Sequence, residues 1–214
     1  MKRLAITATV LLFVALVAPG AMATTFTMFE SAFNVDGNII STFQGDFTSA
    51  ITYQITFITA GNHYGAVYVD PEIDEAANTF FNEYGETNGT PAAGQSWEID
   101  EPGFVFGDIY TNFVAGTLDN KLFDGTFNGP EDVAMALGWD FILASGETAT
   151  ATYVISPDMP TSGFYLVQND PDSGASLYFS STLTTGVIPE PSTLLLLGPA
   201  LGVLALLRKR IAAK

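Results

Sequence analysis

Two groups of residues in this chain are of the types that do chemistry. Trp97-Glu98-Ile99-Asp100-Glu101-Pro102 sets carboxylates beside an indole. That is the raw material of glycoside hydrolysis, in which two carboxyls flank a sugar about 5–9.5 Å apart. Asp70, Glu72, Asp74 and Glu75 crowd a second short stretch, and Asp170 and Asp172 flank a turn. Calcium takes several carboxylate and carbonyl oxygens at about 2.3–2.6 Å, so it is the cofactor such acids would serve. Each group also has a plainer reading. On a strand, alternation turns Trp97 and Ile99 inward and leaves Glu98 and Asp100 in water. Acids near a helix start stabilise its dipole without any metal, and no run matches the twelve-residue EF-hand loop. His63 is the sole histidine, and no Gly-x-Ser-x-Gly elbow accompanies it to build a triad. Within Gly61-Asn62-His63-Tyr64-Gly65 it reads as a solvated turn residue, not a general base. With no cysteine in the 214 residues, thiol catalysis, disulfides and thiolate metal sites are excluded. No catalytic residue is assigned, and the chain reads as a non-enzyme.

The elements that must carry these residues are strands. Ile51-Thr52-Tyr53-Gln54-Ile55-Thr56-Phe57-Ile58 alternates for most of its length with the period of a half-buried strand. Short runs rich in aromatic and β-branched residues recur at 66–69, 104–106, 140–143, 149–156, 163–168 and 176–181. Turn chemistry bounds them, as in Asp36-Gly37-Asn38, Asn88-Gly89 and Asp172-Ser173-Gly174. One segment departs from the pattern. Ile73, Ala76, Ala77 and Phe80 have helical spacing after Asp70-Pro71, which predicts a short helix starting near Glu72. The fold class is therefore all-β, an antiparallel two-sheet sandwich with one short inserted helix; a closed barrel is the alternative. Tyr64, Tyr68, Tyr84, Trp97 and Trp139 would stack on sugar rings if exposed. The uncharged, proline-free run Ile51–Ile58 is the segment best suited to self-association.

The two ends have a different composition. Lys2 and Arg3, an apolar stretch over Leu4–Val17, Pro19-Gly20 and then Ala21-Met22-Ala23 follow the order of a cleavable secretory signal. Cleavage after Ala23 makes 1–23 a signal peptide with its own short helix. At the other end, Pro189-Glu190-Pro191 precedes an apolar run and the basic cluster Arg208, Lys209 and Arg210. Ser192–Leu207 spans 16 residues, roughly 24 Å as a helix, against a hydrocarbon core of about 30 Å. Such a transmembrane helix suits a temporary stop, with the basic residues on the cytoplasmic side; an ordinary anchor whose flanking Arg and Lys snorkel is the alternative. Between the ends, 22 carboxylates face one basic residue, Lys121, a formal charge of −21. Such a body repels nucleic acid and anionic lipid.

The order Pro-Glu-Pro, apolar helix and basic tail over 187–214 resembles the PEP-CTERM sorting signal of Gram-negative bacteria. That resemblance implies an exosortase-type protease-transferase as partner, transient anchoring in the inner membrane, and cutting near Pro189-Glu190-Pro191. The domain 24–186 would then pass to the outer envelope or the extracellular matrix. Within it, Glu72–Gly85, Ala92–Gly103, Asp132–Thr148 and Ser162–Phe179 resemble a family of secreted proteins of undefined biochemistry met beside exopolysaccharide machinery. The implied role is structural or adhesive, in an exopolysaccharide or biofilm matrix. A calcium-assisted carbohydrate-binding module is the alternative.

Overall fold

The computed structural model describes residues 24–74, 82–103, 107–122 and 132–188. The expected signal peptide with Ala21 and Ala23, Pro189, Glu190 and Pro191, the span 192–207, the tail with Arg208, Lys209 and Arg210, and Glu75 lie outside the described residues.

Among the described residues eleven strands and one helix follow one another: β1 (Phe26–Val35), β2 (Asn38–Ser41), β3 (Gly45–Phe47), β4 (Ile51–Phe57), β5 (Gly61–Ile73), β6 (Tyr84–Asn88), β7 (Gln95–Asp100), α1 (Ile109–Ala115), β8 (Ala134–Leu143), β9 (Glu147–Ser156), β10 (Tyr165–Asn169) and β11 (Ser176–Val187). They form two antiparallel sheets. The first runs β2-β1-β5-β8-β7, with β3 also on β1, and the second runs β4-β9-β11-β10-β6. One apolar cluster joins residues of both, including Val67, Leu137, Tyr153, Ile155 and Phe179. Polar pins cross it: the Tyr153 hydroxyl donates to the Gly65 carbonyl at 2.5 Å, and Trp139 Nε1 donates to Ser181 Oγ at 3.0 Å. This is consistent with the sandwich read from the sequence.

The alternation of β4 comes out as read: Tyr53, Ile55 and Phe57 are buried while Thr52, Gln54 and Thr56 are exposed. In contrast, β8 is buried on both faces from Ala134 to Trp139. Its odd-numbered residues face the shared core, and Ala134 and Ala136 join Ala66 and Tyr68 in a second cluster with Ile109 and Phe113 of α1. Small residues on that outer face let the helix lie close against the sheet. Gly116 ends α1 in the left-handed conformation (φ 70°), a geometry that glycine adopts without a Cβ penalty. Buried Asn34 on β1 donates its amide to the Phe113 carbonyl at 2.6 Å and the Val114 carbonyl at 3.2 Å. The Phe113 carbonyl also accepts from Gly116 N at 3.2 Å, so the Asn34 amide adds a donor at a helix end where intrahelical partners run out.

The expected helix start near Glu72 is instead strand, and 75–81, the rest of that expected helix, lie outside the described residues. Asp70 to Ile73 are the last residues of β5, and Asp74 follows with φ 54°. Pro71 is tolerated because its neighbour on β1 is Met28, next to a register shift between Met28 and Glu30. The β8 ladder has also ended by then, at Val69. A proline lacking its N–H is accommodated at such an irregular edge.

Candidate functional site

The acids around Glu98 owe their position to three elements. Glu98 and Asp100 lie on the face of β7 that is turned away from the core. Asp108 immediately precedes α1, and Asp119 follows it. The sequence reading placed Glu98 and Asp100 in water; instead they are 2 % and 6 % exposed, and Glu101 is buried beside them. The cover is α1 with the segment after it, which runs along β7: Ile99 N donates to the Lys121 carbonyl at 3.1 Å, and Asn120 N donates to the Trp97 carbonyl at 2.9 Å. A seven-residue helix leaves too little periodicity in the sequence to announce that cover.

Each carboxylate oxygen of the pair accepts a hydrogen bond. Glu98 Oε1 takes Asn112 Nδ2 at 2.9 Å and Oε2 takes Asp119 N at 3.1 Å. Asp100 Oδ1 takes Glu101 N at 2.8 Å, and Oδ2 takes Asp108 N at 2.7 Å. Gly107 makes the last bond attainable. It has φ +80°, and a Cβ there would lie 2.4 Å from the Glu101 carbonyl oxygen and 3.0 Å from Asp100 Cγ. Only a residue without a side chain brings Asp108 this close to Asp100.

Ligand oxygens of Glu98, Asp100 and Asp108 lie within 4.8 Å of one another. Oxygens sharing one calcium ion lie no more than about 5 Å apart, so the three are close enough to one another to hold a metal ion. They border a cleft of about 230 Å³ whose wall also includes Asp119 and Lys121. Lys121 Nζ is drawn to Asp119 at 2.7 Å rather than to Glu98. Burial pushes Glu98 up to about 7, with the charges of Asp119 and Asp108 adding to it and the Asn112 and Asp119 donors opposing it. Burial likewise raises Asp100. The site therefore opposes its own negative charge, a tension that either a proton or a cation relieves.

The other acids are arranged differently. Asp70 and Glu72 share the outer face of β5, and Asp74 N donates to the Thr25 carbonyl at 2.8 Å. Burial pushes Asp70 up to about 7, aided by Asp132, two residues before β8, and by Glu30 on β1. Among the described residues the acids within ligand distance of one another are Glu98, Asp100 and Asp108, not Asp70, Glu72 and Asp74. Asp170 folds back on its own turn, accepting from Asp172 N at 2.8 Å and Ser173 N at 2.9 Å.

His63 is not the solvated turn residue expected from its glycine-rich surroundings. It lies on β5 with 9 % exposure. Nδ1 meets Asp36 Oδ2 at 2.8 Å and Nε2 meets the Thr59 carbonyl at 2.7 Å, so both ring nitrogens are engaged. The Asp36 carboxylate first, then the Thr59 carbonyl, raise its pKa. Of the aromatics considered for sugar stacking, Tyr68 and Trp139 are buried, Tyr64 and Trp97 are half-buried, and Tyr84 is exposed. No family model, curated protein or solved structure matches the chain.

Proposed function

We propose that the chain is an exported envelope or extracellular-matrix protein, delivered by a cleavable amino-terminal signal and released by an exosortase-type enzyme at Pro189-Glu190-Pro191. The observation that carries this reading is where the sheets stop. β11 stays in register with β9 up to Val187 opposite Glu147, and Ile188 N closes on the Gly146 carbonyl at 2.7 Å. Every described strand lies before Pro189, so a cut there takes no strand from either sheet. A body with −21 charges and one lysine stays soluble once released, which suits a structural or adhesive role in a polysaccharide matrix. Mass spectrometry of the protein recovered from exporting cells tests the sorting step. The expected product begins at Thr24 and ends near Pro191. A product still carrying residues to Lys214 overturns it.

A second reading, a calcium-assisted carbohydrate-binding module, is favoured on one point, the group Glu98, Asp100 and Asp108. Its test is thermal unfolding at pH 8 in calcium chloride and in chelator. Calcium at 100 times its Kd is expected to add about 2.7 kcal/mol, or roughly 5–10 °C in Tm for a chain of this size. The gain should vanish in Glu98→Gln and shrink at pH 5, where Glu98 is protonated. Equal Tm in calcium and chelator at pH 8 removes this reading and leaves the first intact.

A further inference from the structure

Every open sheet has edges, and an edge strand offers unpaired N–H and C=O groups to any strand that fits; folded proteins blunt such edges with charge, proline, shortness or a covering segment. Most edges of this fold are blunted. β2 has four residues and β3 has three, one of them Asp46. β6 carries Glu86. β7 is covered by backbone bonds to Asn120 and Lys121 and by a bridge to Leu122.

β4 is the exception. It has seven residues, and among the described residues its one strand partner is β9. It contains no proline, no charge and no glycine. Its ladder with β9 is regular from Ile51↔Ile155 to Phe57↔Ala149, without the bulge that would turn an edge away. From Phe47 to Val69 the chain has no Asp, Glu, Lys or Arg, although the body around it carries −21.

The uncharged character extends inward across the sheet. On the outer face, Thr56 is in register with Thr150 and Thr184, Gln54 with Thr152 and Thr182, and Thr52 with Val154 and Ser180. Thr56 and Thr150 hydroxyls meet at 3.4 Å, and Gln54 Nε2 reaches Thr152 Oγ1 at 3.4 Å. Ile58, 66 % exposed, extends the apolar character just past the strand end.

From this edge we propose that a second copy of the chain docks through β4, strand against strand and antiparallel, with Gln54 at the two-fold axis. The charge pattern selects that occupant. Two bodies of −21 repel over most of their surfaces, and approach is least opposed where both present this uncharged edge. A two-fold at Gln54 sets Gln54 opposite its own counterpart and Thr52 opposite Thr56 on the outer face. On the inner face it sets Tyr53 opposite Ile55 and Ile51 opposite Phe57. Hydroxyl and amide pairs on one face and apolar pairs on the other are the combinations that stabilise cross-strand neighbours. The isologous contact closes and joins two five-stranded sheets into one continuous sheet. This inference does not depend on export or sorting.

The absence of native cysteine makes the register directly readable. Full-length chains bearing Gln54→Cys or Thr182→Cys are purified in non-denaturing detergent and oxidised, so that two thiols give one disulfide. Both positions are on the outer face of the same sheet, but Thr182 is two strands in from the edge. Side chains directly opposite one another have Cβ atoms about 4.5–5.5 Å apart, so Gln54→Cys is expected to cross-link at least about ten-fold faster than Thr182→Cys. An equimolar mixture of Thr52→Cys and Thr56→Cys should give the mixed dimer in preference to either homodimer. Gln54→Glu, which sets like charges opposite each other, should weaken the dimer about ten-fold in sedimentation. Equal rates for Gln54→Cys and Thr182→Cys, or homodimers dominating the mixture, overturn the proposal. So does a Gln54→Glu chain that dimerises like the parent. If the edge serves a polysaccharide instead, the purified chains stay monomeric and Gln54→Cys gains no advantage, which overturns it equally.

Discussion

Raising the pH from about 4.5 to 8.5 should lower the Tm of this protein by on the order of 10 °C, the reverse of the usual acid denaturation. The reason is a set of carboxyls placed where their charge is resisted. Burial pushes Asp70 up to about 7, Glu83 to about 8, Glu98 to about 7 and Asp132 to about 6. Unfolded carboxyls titrate near 4. Between those limits the folded chain holds more protons than the unfolded one, so stability falls as pH rises through the folded values. His63 acts in the same direction. Its partner Asp36 raises its pKa, and the stabilisation that this gives is lost as pH climbs past the folded value. If each of the four carboxyls gives up about 1 kcal/mol, the sum corresponds to roughly 10 °C at 2–4 °C per kcal/mol. Calorimetry across that pH range in chelator checks it, and a Tm that rises with pH disproves it. Glu83→Gln offers a second control. Glu83 accepts from Gln168 Nε2 and from Ile73 N, so an amide of similar shape should flatten part of the slope.

The same residues show what was legible in the sequence. Strand alternation is a short-range pattern, and β4 and β9 carry it openly. Of β8 only the end, 140–143, reads as a strand in the sequence; its core-facing Met135, Leu137 and Trp139 go unread because small residues separate them. Its other face, with Ala134 and Ala136, looks merely small until α1 is seen to rest on it. The second cover of the first sheet is therefore invisible to periodicity, and Glu98 and Asp100 read as solvent-facing acids when they are enclosed. The Asp70-Pro71 signal misled for a related reason. Asp before Pro marks a helix start in isolation, but β1 offers a bulged partner that accepts the proline within a strand. His63 was misread because its turn-like neighbours say nothing of Asp36, 27 residues away, which holds its ring. In each case local chemistry was legible and a distant partner decided the outcome. The edge character of β4 is the converse: its uncharged alternation is local, and the topology adds only that nothing among the described strands covers it.

Phe113→Ala should cost about 3–5 kcal/mol and dismantle the acid site along with the helix. Phe113 is fully buried, 5.7 Å from the ring of Tyr68 and 6.1 Å from that of Tyr110. With Ile109 it is one of the two buried residues of α1. Truncating a buried phenylalanine loses its transfer free energy and leaves a cavity, and the two terms together give that range. A seven-residue helix has almost no stability of its own and depends on such packing. Once it lifts, Glu98 loses the Asn112 donor directly and the Asp119 donor with the segment that α1 positions. Water then reaches its carboxylate. The enclosure that pushes Glu98 up to about 7 is gone, so its pKa should return toward the ordinary carboxylate range. Two readouts separate this from simple destabilisation: Tm by calorimetry, and the Glu98 side-chain carbon followed by NMR against pH. Val114→Ala, one residue on and 41 % exposed, is the matched control and should stay within about 0.5 kcal/mol with Glu98 unmoved. If Phe113→Ala unfolds no more easily than Val114→Ala, or if Glu98 titrates as before, the helix is not what encloses the site.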